Sequence, residues 1–174
     1  YEIRIIKSLV QKIDACLSSS NSQDKPSVGI ISFYASQNDK LRNTISTMKK
    51  NLKALDKIDV NTVDKFQGQE RDIIIVSMVR SVEEKRIPLH NSFFKAYERI
   101  NVAFSRARKL LIVVGSTKFC EKQSIAIPPL GGQPNDASRI TNRHIYGEII
   151  DVIRKSGTVI LPVELIGDRG DSDE

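Results

Sequence analysis

Arg99, Arg106 and Arg108 lie within ten residues of one another. A guanidinium group is planar and permanently charged, so it suits phosphate oxygens. An arginine delivered to a transferring γ-phosphoryl group accelerates hydrolysis by about 10³ to 10⁵. A solvated basic face, or an ion pair with Glu98 or a more distant acid, is the simpler interpretation of any single arginine. The residue types alone leave both interpretations open.

A second polar stretch, residues 61–70, comes directly before an apolar run. In an open α/β sheet, the loops at the carboxyl ends of the strands form the ligand crevice. In one interpretation, the polar side chains of this stretch face a bound partner, and they are Thr62, Asp64, Gln67 and Glu70. Gly68 would let the backbone approach a ligand closely. A polar turn, with Asp64 and Gln67 bonded to nearby backbone, remains the simpler interpretation from physics alone.

Four short apolar runs predict the strands that would position these residues. The runs are rich in β-branched and aliphatic residues and cover residues 28–33, 58–63, 73–79 and 110–114. Such continuous apolar runs are typical of strands covered on both faces, which occur in parallel sheets. With helices between the strands, the pattern predicts an α/β fold, a three-layer sandwich with a mostly parallel central sheet.

Apolar residues recur at helical spacing in residues 3–17, 41–52, 97–108 and 143–155. Ser36 is expected to cap the second helix, with Asp39 three residues further on. In the third helix, Arg99 and Arg106 would share one face. Residues 125–138 contain three prolines and are predicted to form an irregular loop. Residues 158–165 are predicted to form a last strand.

The chain has 174 residues and a net charge of +6, which suits a phosphate-backbone partner without specifying one. Cys16 and Cys120 are isolated from each other and from His90 and His144, so neither a disulfide framework nor a metal site is expected. No apolar stretch approaches the roughly 20 residues that cross a bilayer. We therefore expect an intracellular protein without membrane contact, cytoplasmic, or nuclear if its source is eukaryotic.

Four segments together resemble the second RecA-like domain of superfamily 1 helicases, in the branch that contains the nonsense-mediated-decay helicase and senataxin. Residues 28–37 resemble that branch's strand followed by Tyr-x-x-Gln, and residues 62–70 its T-V-D-x-F-Q-G-x-E motif. Residues 77–81 resemble the stretch after the next strand, and residues 99–108 the R-x-N-V-A-x-T-R-A-[RK] motif. The resemblance implies a RecA-like fold of the P-loop NTPase type without its own phosphate loop.

The resemblance also implies roles at a nucleotide site. Arg106 would contact the γ-phosphate as an arginine finger. Glu70 and the backbone of Gly68 would lie near the sugar and phosphates of the nucleotide. Gln67 would sit between the ATP cleft and the nucleic-acid track.

For a bound nucleic acid, the resemblance implies that Thr62 and Arg80 contact the phosphates of a single strand. Asn101 would brace the helix that carries the arginines. Ser105 stands where the family usually has threonine, which keeps the hydroxyl group. Two further residues match the family's wording without an assigned role, and they are Tyr34 and Gln37.

No stretch matches the phosphate loop G-x-x-x-x-G-K-[ST], and no predicted strand ends in the paired acids of a magnesium site. The resemblance therefore implies that ATP and Mg²⁺ are held mainly by an upstream RecA-like domain of the same protein, and that this chain is inactive alone. We expect one RecA-like domain over residues 1–167. Residues 168–174 are expected to be an acidic tail or a truncated linker.

The function implied is the second motor domain of an ATP-dependent DNA or RNA helicase, which completes the ATP site and binds a single strand through its backbone. The alternative is a non-hydrolysing nucleic-acid or protein adaptor with a helicase-like fold. A third interpretation, a stand-alone phosphate-handling enzyme of flavodoxin-like topology, needs a nucleophile or metal cluster that the sequence does not show.

Overall fold

The computed structural model describes residues 1–20, 25–55, 57–79, 97–127 and 141–166. The helices are α1 (Glu2–Ser19), α2 (Ala35–Met48), α3 (Tyr97–Phe104), α4 (Thr117–Glu121), α5 (Ile145–Ser156) and α6 (Pro162–Ile166). The strands are β1 (Val28–Ser32), β2 (Ile58–Thr62), β3 (Arg71–Ser77), β4 (Ala107–Val114), β5 (Ile125–Ile127) and β6 (Thr141–Arg143). Two short 3-10 helices cover Lys49–Asn51 and Val63–Phe66. The four strands predicted from apolar runs are confirmed as β1 to β4.

The main sheet has four strands in the order β2-β1-β3-β4, and each neighbouring pair is parallel. Ser32 of β1 is in register with Thr62 of β2 and with Ser77 of β3, so these residues mark one end, the carboxyl end of the sheet. Arg71 of β3 is in register with Ala107 of β4 at the opposite end, the amino end of the sheet. Strands β5 and β6 form a separate antiparallel pair.

Helices cover both faces of the main sheet, because its strands are apolar on both sides. On one face, α1 and α2 contribute to a core cluster that includes Ile6, Val10, Leu41 and Ile45. On the other face, α3, α4, α5 and the second 3-10 helix contribute to a cluster that includes Phe66, Ile100, Ala103, Cys120 and Tyr146. The three-layer α/β sandwich with a parallel central sheet is therefore confirmed.

The connection from β2 to β3 passes across β1, because β1 lies between those two strands. Phe66, in the middle of this connection, is fully buried on the second face. It lies directly over Gly29, where a Cβ atom would be 2.9 Å from Phe66 Cε1 and 2.6 Å from Ile74 Cδ1. A glycine in β1 thus makes room for the aromatic ring, and the ring fixes the polar segment to the sheet.

Three sequence-based expectations about helix and strand limits were wrong. Helix α3 ends at Phe104 rather than at residue 108, because Ala107 already pairs with Arg71 as the start of β4. Ser36 does not cap α2, which begins one residue earlier behind Tyr34, whose N–H donates to the Ser32 hydroxyl. The loop predicted for residues 125–138 begins instead with strand β5, which pairs with β6. The rest of that stretch, residues 128–138, lies outside the described part.

The predicted last strand is also wrong, because α6 occupies the end of that stretch. Pro162 stands at the first helical position, where its missing N–H costs nothing, and Glu164 Oε2 accepts the N–H of Leu161 at 2.6 Å. Ser8 of α1 donates its hydroxyl to the carbonyl of Leu165 at 2.7 Å, so α6 is held against α1. Among the described residues, no helix is long and apolar enough to cross a membrane.

Candidate functional site

A cleft opens at the carboxyl end of the sheet, beside the ends of β1 and β2. Its volume is about 220 Å³, and its lining residues are Phe33, Tyr34, Ala35, Thr62, Val63, Asp64 and Arg99. Thr62 is the last residue of β2 and is partly buried, so the rigid sheet carries its side chain. A hydroxyl and a guanidinium group in one small cleft are suited to an anionic ligand such as a phosphodiester.

An ion pair between Asp64 and Arg99 forms part of the cleft wall. Arg99 Nε donates to Asp64 Oδ1 at 3.0 Å, and Arg99 Nη2 donates to Asp64 Oδ2 at 3.4 Å. The pair joins α3 to the 3-10 helix after β2. The ion-pair interpretation, with a distant acid as partner, is therefore the one that applies to Arg99.

A buried polar network lies at the carboxyl end of β3. Gln37 Nε2 donates to the Ser77 hydroxyl at 3.2 Å, and that hydroxyl donates to Glu2 Oε2 at 2.5 Å. The same carboxylate oxygen accepts the N–H of Val79 at 2.9 Å. Val79 has a φ of 66°, which is strained for a β-branched residue. Sequence reasoning left Gln37 without a role and missed Glu2, whose sequence signal is an acid at helical spacing from the apolar residues Ile6 and Leu9.

Arg106 lies at the opposite end, in the turn between α3 and β4. Its Nε donates to the carbonyl of Val102 at 3.1 Å, and its Nη2 donates to the Ser105 hydroxyl at 2.8 Å. The Ser105 hydroxyl, which the family's threonine also provides, therefore accepts a hydrogen bond from Arg106. The expectation that Arg99 and Arg106 share one helical face was wrong, because α3 ends before Arg106.

The three arginines differ in their acid partners. Arg99 pairs with Asp64, and Arg108 Nη2 lies 3.3 Å from Asp72 Oδ2. Within the described ranges, no carboxylate pairs with Arg106. Its guanidinium has five N–H donors, of which the described partners use two. Arg106 is thus the arginine of this stretch best placed to accept an external anion.

The polar stretch of residues 61–70 does not face one partner, which corrects the expectation from the sequence. Thr62 and Asp64 lie at the carboxyl end of the sheet, but Glu70 directly precedes β3 and lies at the amino end. The N–H of Arg71 donates to the carbonyl of Arg106 at 3.1 Å, so Glu70 and Arg106 occupy the same end. At about 3.3 Å per residue, the five-residue β2 separates the two ends by roughly 15 Å.

Gln67 and Gly68 lie on the segment that connects the two ends. Both are exposed, and the N–H of Gln67 donates to the carbonyl of Asp64. Gly68 has a φ of +75° and no atom within 4 Å of a Cβ position, so the turn, not a lack of space, requires glycine there. The open surface above Gly68 leaves its backbone accessible. Asn101 is exposed, and its carbonyl accepts the N–H of Ser105 at the end of α3.

Sequence reasoning missed Arg71, which locks the polar segment onto the sheet. Its Nε donates to Asp59 Oδ2 at 2.8 Å, and its guanidinium lies 5.7 Å from the centroid of the Phe66 ring. This combination of an ion pair and a cation–π contact fixes the residue just after Glu70. Arg71 is therefore a structural residue of the amino end.

Asp72 is a second residue that the sequence did not single out. Its Oδ2 accepts the N–H of Ser27 at 2.9 Å and the Ser27 hydroxyl at 2.7 Å. These hydrogen bonds, with the nearby charges of Arg108 and Lys109, lower the pKa of Asp72 to about 2. The signal available in the sequence was an acid at the start of a buried strand.

Arg80 and His90 lie outside the described residues. In the part that the structure describes, no three His, Cys, Asp or Glu side chains are grouped to hold a metal ion. The guanidinium of Arg106 and the exposed backbone at Gly68 can both donate hydrogen bonds to phosphate oxygens. Cys16 is exposed and Cys120 is buried, and neither forms a disulfide. Burial raises the pKa of the Cys120 thiol to about 12.

Comparison with known proteins places this geometry in a family. Residues 1–118 match a family model described as an AAA domain. The chain is 37% identical over 99 residues to the DNA replication ATP-dependent helicase/nuclease dna2 of Schizosaccharomyces pombe, covering 57% of this chain and 6% of that protein. It is 34% identical over 117 residues to Helicase sen1 of the same organism, covering 67% of this chain and 7% of that protein.

A third relative is the DNA polymerase alpha-associated DNA helicase A of Saccharomyces cerevisiae. It is 36% identical over 121 residues, covering 70% of this chain and 16% of that protein. The chain thus spans a small fraction of the relatives that it matches. The family model nevertheless covers well over half of the chain, including every segment that carries the resemblance. The chain therefore belongs to this AAA domain family and is a helicase domain of superfamily 1, in the branch of the nonsense-mediated-decay helicase and senataxin.

Proposed function

We propose that this chain is the second motor domain of an ATP-dependent helicase, and that Arg106 completes an ATP site whose phosphate loop lies on an upstream RecA-like domain. The observation that carries the proposal is the setting of Arg106. It lies at the amino end of the sheet beside Glu70, a strand length of roughly 15 Å separates this end from the end that carries Thr62, and no carboxylate pairs with it in the described ranges. We take residues 1–167 as one domain of this motor.

Arg106 is suited to bind a phosphate from a second domain. The Val102 carbonyl and the Ser105 hydroxyl hold the guanidinium in place and leave about three N–H donors for phosphate oxygens. ATP, when bound with Mg²⁺, supplies the γ-phosphoryl group whose transfer to water drives the motor. Arg106 stabilises the charge on that group, and the two domains close only while the group is present. Glu70 and the Gly68 backbone lie near the sugar and the other phosphates.

The carboxyl end of the sheet binds one strand of DNA or RNA. Thr62 contacts the backbone phosphates in the cleft, together with Arg80, and Gln67 lies on the segment between the two sites. Contacts to phosphates carry no base information, so binding is largely independent of sequence and weakens as salt is added. The separation of the two sites across the sheet supports a motor in which domain closure moves the strand.

The test is the substitution Arg106→Ala in the full-length protein. We expect the rate of strand-stimulated ATP hydrolysis to fall by about 10³ to 10⁵, as for other arginine fingers, with strand affinity in the absence of nucleotide nearly unchanged. Phosphate release and fluorescence anisotropy of a labelled strand measure the two quantities.

Arg154→Ala is the matched control, because Arg154 pairs with Glu121 on the surface of α5, away from both sites. The control is expected to hydrolyse ATP at the wild-type rate. Unchanged hydrolysis in the Arg106→Ala protein would contradict the arginine finger. Strand binding by a wild-type protein that hydrolyses no ATP would instead favour the adaptor.

A further inference from the structure

Helix α3 connects the two ends of the sheet. It comes directly before β4, which starts at the amino end, so the helix begins near the carboxyl end, and its eight residues span about 12 Å. Ile100 and Ala103 on its inner face are buried in the second core cluster. Arg99 near its start lines the cleft, and Val102 in its last turn holds Arg106. A displacement of this short helix would therefore reach both sites.

The link at the start of α3 is exchangeable. The side chains of Arg99 and Asp64 are 33% and 58% exposed, and pairs of this exposure stabilise a protein by about 0 to 1 kcal/mol. A phosphodiester offers the same two-oxygen surface to the guanidinium as the carboxylate of Asp64 does. A phosphate beside Thr62 attracts Arg99 and repels Asp64, so it can replace Asp64 as the partner of Arg99.

We propose that Arg99 exchanges Asp64 for a strand phosphate, and that this exchange couples strand binding at the carboxyl end to Arg106 at the amino end. Arg99 is thus a positioning residue, and Asp64 competes with the strand for it. Without a strand, the ion pair holds α3 on the 3-10 helix Val63–Phe66. With a strand in the cleft, α3 is released from Asp64 and shifts Arg106. The inference rests on the proposed function and adds a route between its two sites.

The test compares Asp64→Asn and Arg99→Gln in the full-length protein. Asp64→Asn removes the competitor, so we expect a strand affinity about 3- to 10-fold higher and faster hydrolysis without a strand. Arg99→Gln breaks the same ion pair and also removes the group that takes the phosphate, so we expect basal hydrolysis to rise as in Asp64→Asn, strand affinity to fall, and further stimulation by the strand to be reduced by at least about 10-fold. The slope of log affinity against log salt should also fall by about one contact.

A conservative variant and a control separate coupling from stability. Arg99→Lys keeps the charge but loses the two-pronged geometry, so it should retain strand affinity and lose part of the stimulation. Arg143→Gln breaks a comparable exposed ion pair, with Glu148, outside the cleft and should change neither quantity. Thermal unfolding curves of all variants check that each protein is folded.

The opposite effects of the two substitutions on strand affinity decide the proposal. If the ion pair only holds the fold together, both variants should be less stable and their strand affinities should change in the same direction. That result would overturn the proposal. Undiminished stimulation in folded Arg99→Gln would overturn it too, while a large loss in Arg106→Ala would still support the proposed function. If Arg106→Ala is itself fully active, the proposed function fails first.

Discussion

Two buried carboxylates in α1, Asp14 and Glu2, have pKa values that are shifted in opposite directions. Asp14 in α1 accepts the N–H groups of Lys53, Ala54 and Leu55, and these bonds lower its pKa despite its burial. Glu2 is 6% exposed, and loss of water raises its pKa even though Ser77 and Val79 donate to it. Asp14 therefore links α1 to residues 53–55, and these hydrogen bonds offset the free-energy cost of burying its charge. Burial disfavours the charged form of Glu2, which lies at the carboxyl end of β3.

At the residue scale, the raised pKa of Glu2 predicts a specific pH dependence. The folded state binds this proton more tightly than the unfolded state, where the pKa is near 4.5. The contribution of Glu2 to stability therefore falls as pH rises from about 4.5 through the raised folded pKa, and is level above it. We expect Glu2→Gln to remove this fall, which urea unfolding between pH 4.5 and pH 7.5 measures.

Of the described acids, the other two with shifted pKa values, Asp14 and Asp72, have lowered values, so their contributions change outside this window. The pKa of Asp72 is lowered to about 2, and its stabilising contribution is lost only as pH falls below its ordinary value of 3.8. The exposed Glu98 of α3 provides the control Glu98→Gln, which should keep the wild-type profile. A Glu2→Gln profile parallel to that of wild type would show that this carboxyl is not the cause.

At the element scale, the crossing of β1 by the β2–β3 connection determines where the polar segment lies. Phe66 can pass over the sheet because Gly29 has no side chain, and Arg71 then anchors the far end of the segment. The connection starts beside Thr62 and ends beside Glu70. One continuous stretch of sequence thereby reaches both ends of the sheet.

Gly29→Ala is expected to destabilise the domain by about 1 to 3 kcal/mol, because the new methyl group would meet Ile74 Cδ1 at 2.6 Å and the Phe66 ring at 2.9 Å. The measurement is the free energy of unfolding in urea. Gly147→Ala is the matched control, since Gly147 lies inside α5 with its nearest neighbour at 3.8 Å. It should be stabilising by up to about 1 kcal/mol. Equal effects from both substitutions would rule out the packing of Phe66 as the reason.

At the scale of the whole molecule, the sheet separates the end that we propose binds the strand from the end that we propose binds the nucleotide, the nucleotide end. The described residues contribute cations and backbone to the nucleotide end but hold no metal-binding cluster. The sequence contains no phosphate loop. In the proposed function, the nucleotide end is half of a site, and its chemistry depends on a second domain.

This dependence predicts that the 174-residue chain alone hydrolyses no ATP above background, whereas the full-length protein shows strand-stimulated hydrolysis. The chain alone should still bind a labelled single strand weakly, with an affinity that falls as salt rises. Phosphate release and anisotropy, measured on both proteins, test the two statements. ATP hydrolysis by the chain alone that disappears on Arg106→Ala would show that this domain needs no second half.

Local pattern predicted much of this fold. Continuous apolar runs identified β1 to β4, and helical spacing identified α1, α2, α3 and α5, because burial on two faces or on one stripe leaves a direct record in the residue order. Two predictions were wrong, the end of α3 and the strand expected at residues 158–165. Helix α3 ends early because Ala107 pairs with Arg71 in the sheet. Residues 162–166 form helix α6, which packs against α1, instead of a strand.

By itself, the sequence determined the fold class, the family motifs and the identity of Arg106 as a candidate, since these depend on residue types and their spacing. Only the tertiary structure decided which residues share a site. Thr62 and Glu70 are eight positions apart but lie at opposite ends of the sheet, whereas Arg106 meets the distant Arg71. The physical reason is the strand order β2-β1-β3-β4, a long-range pairing that no local periodicity encodes.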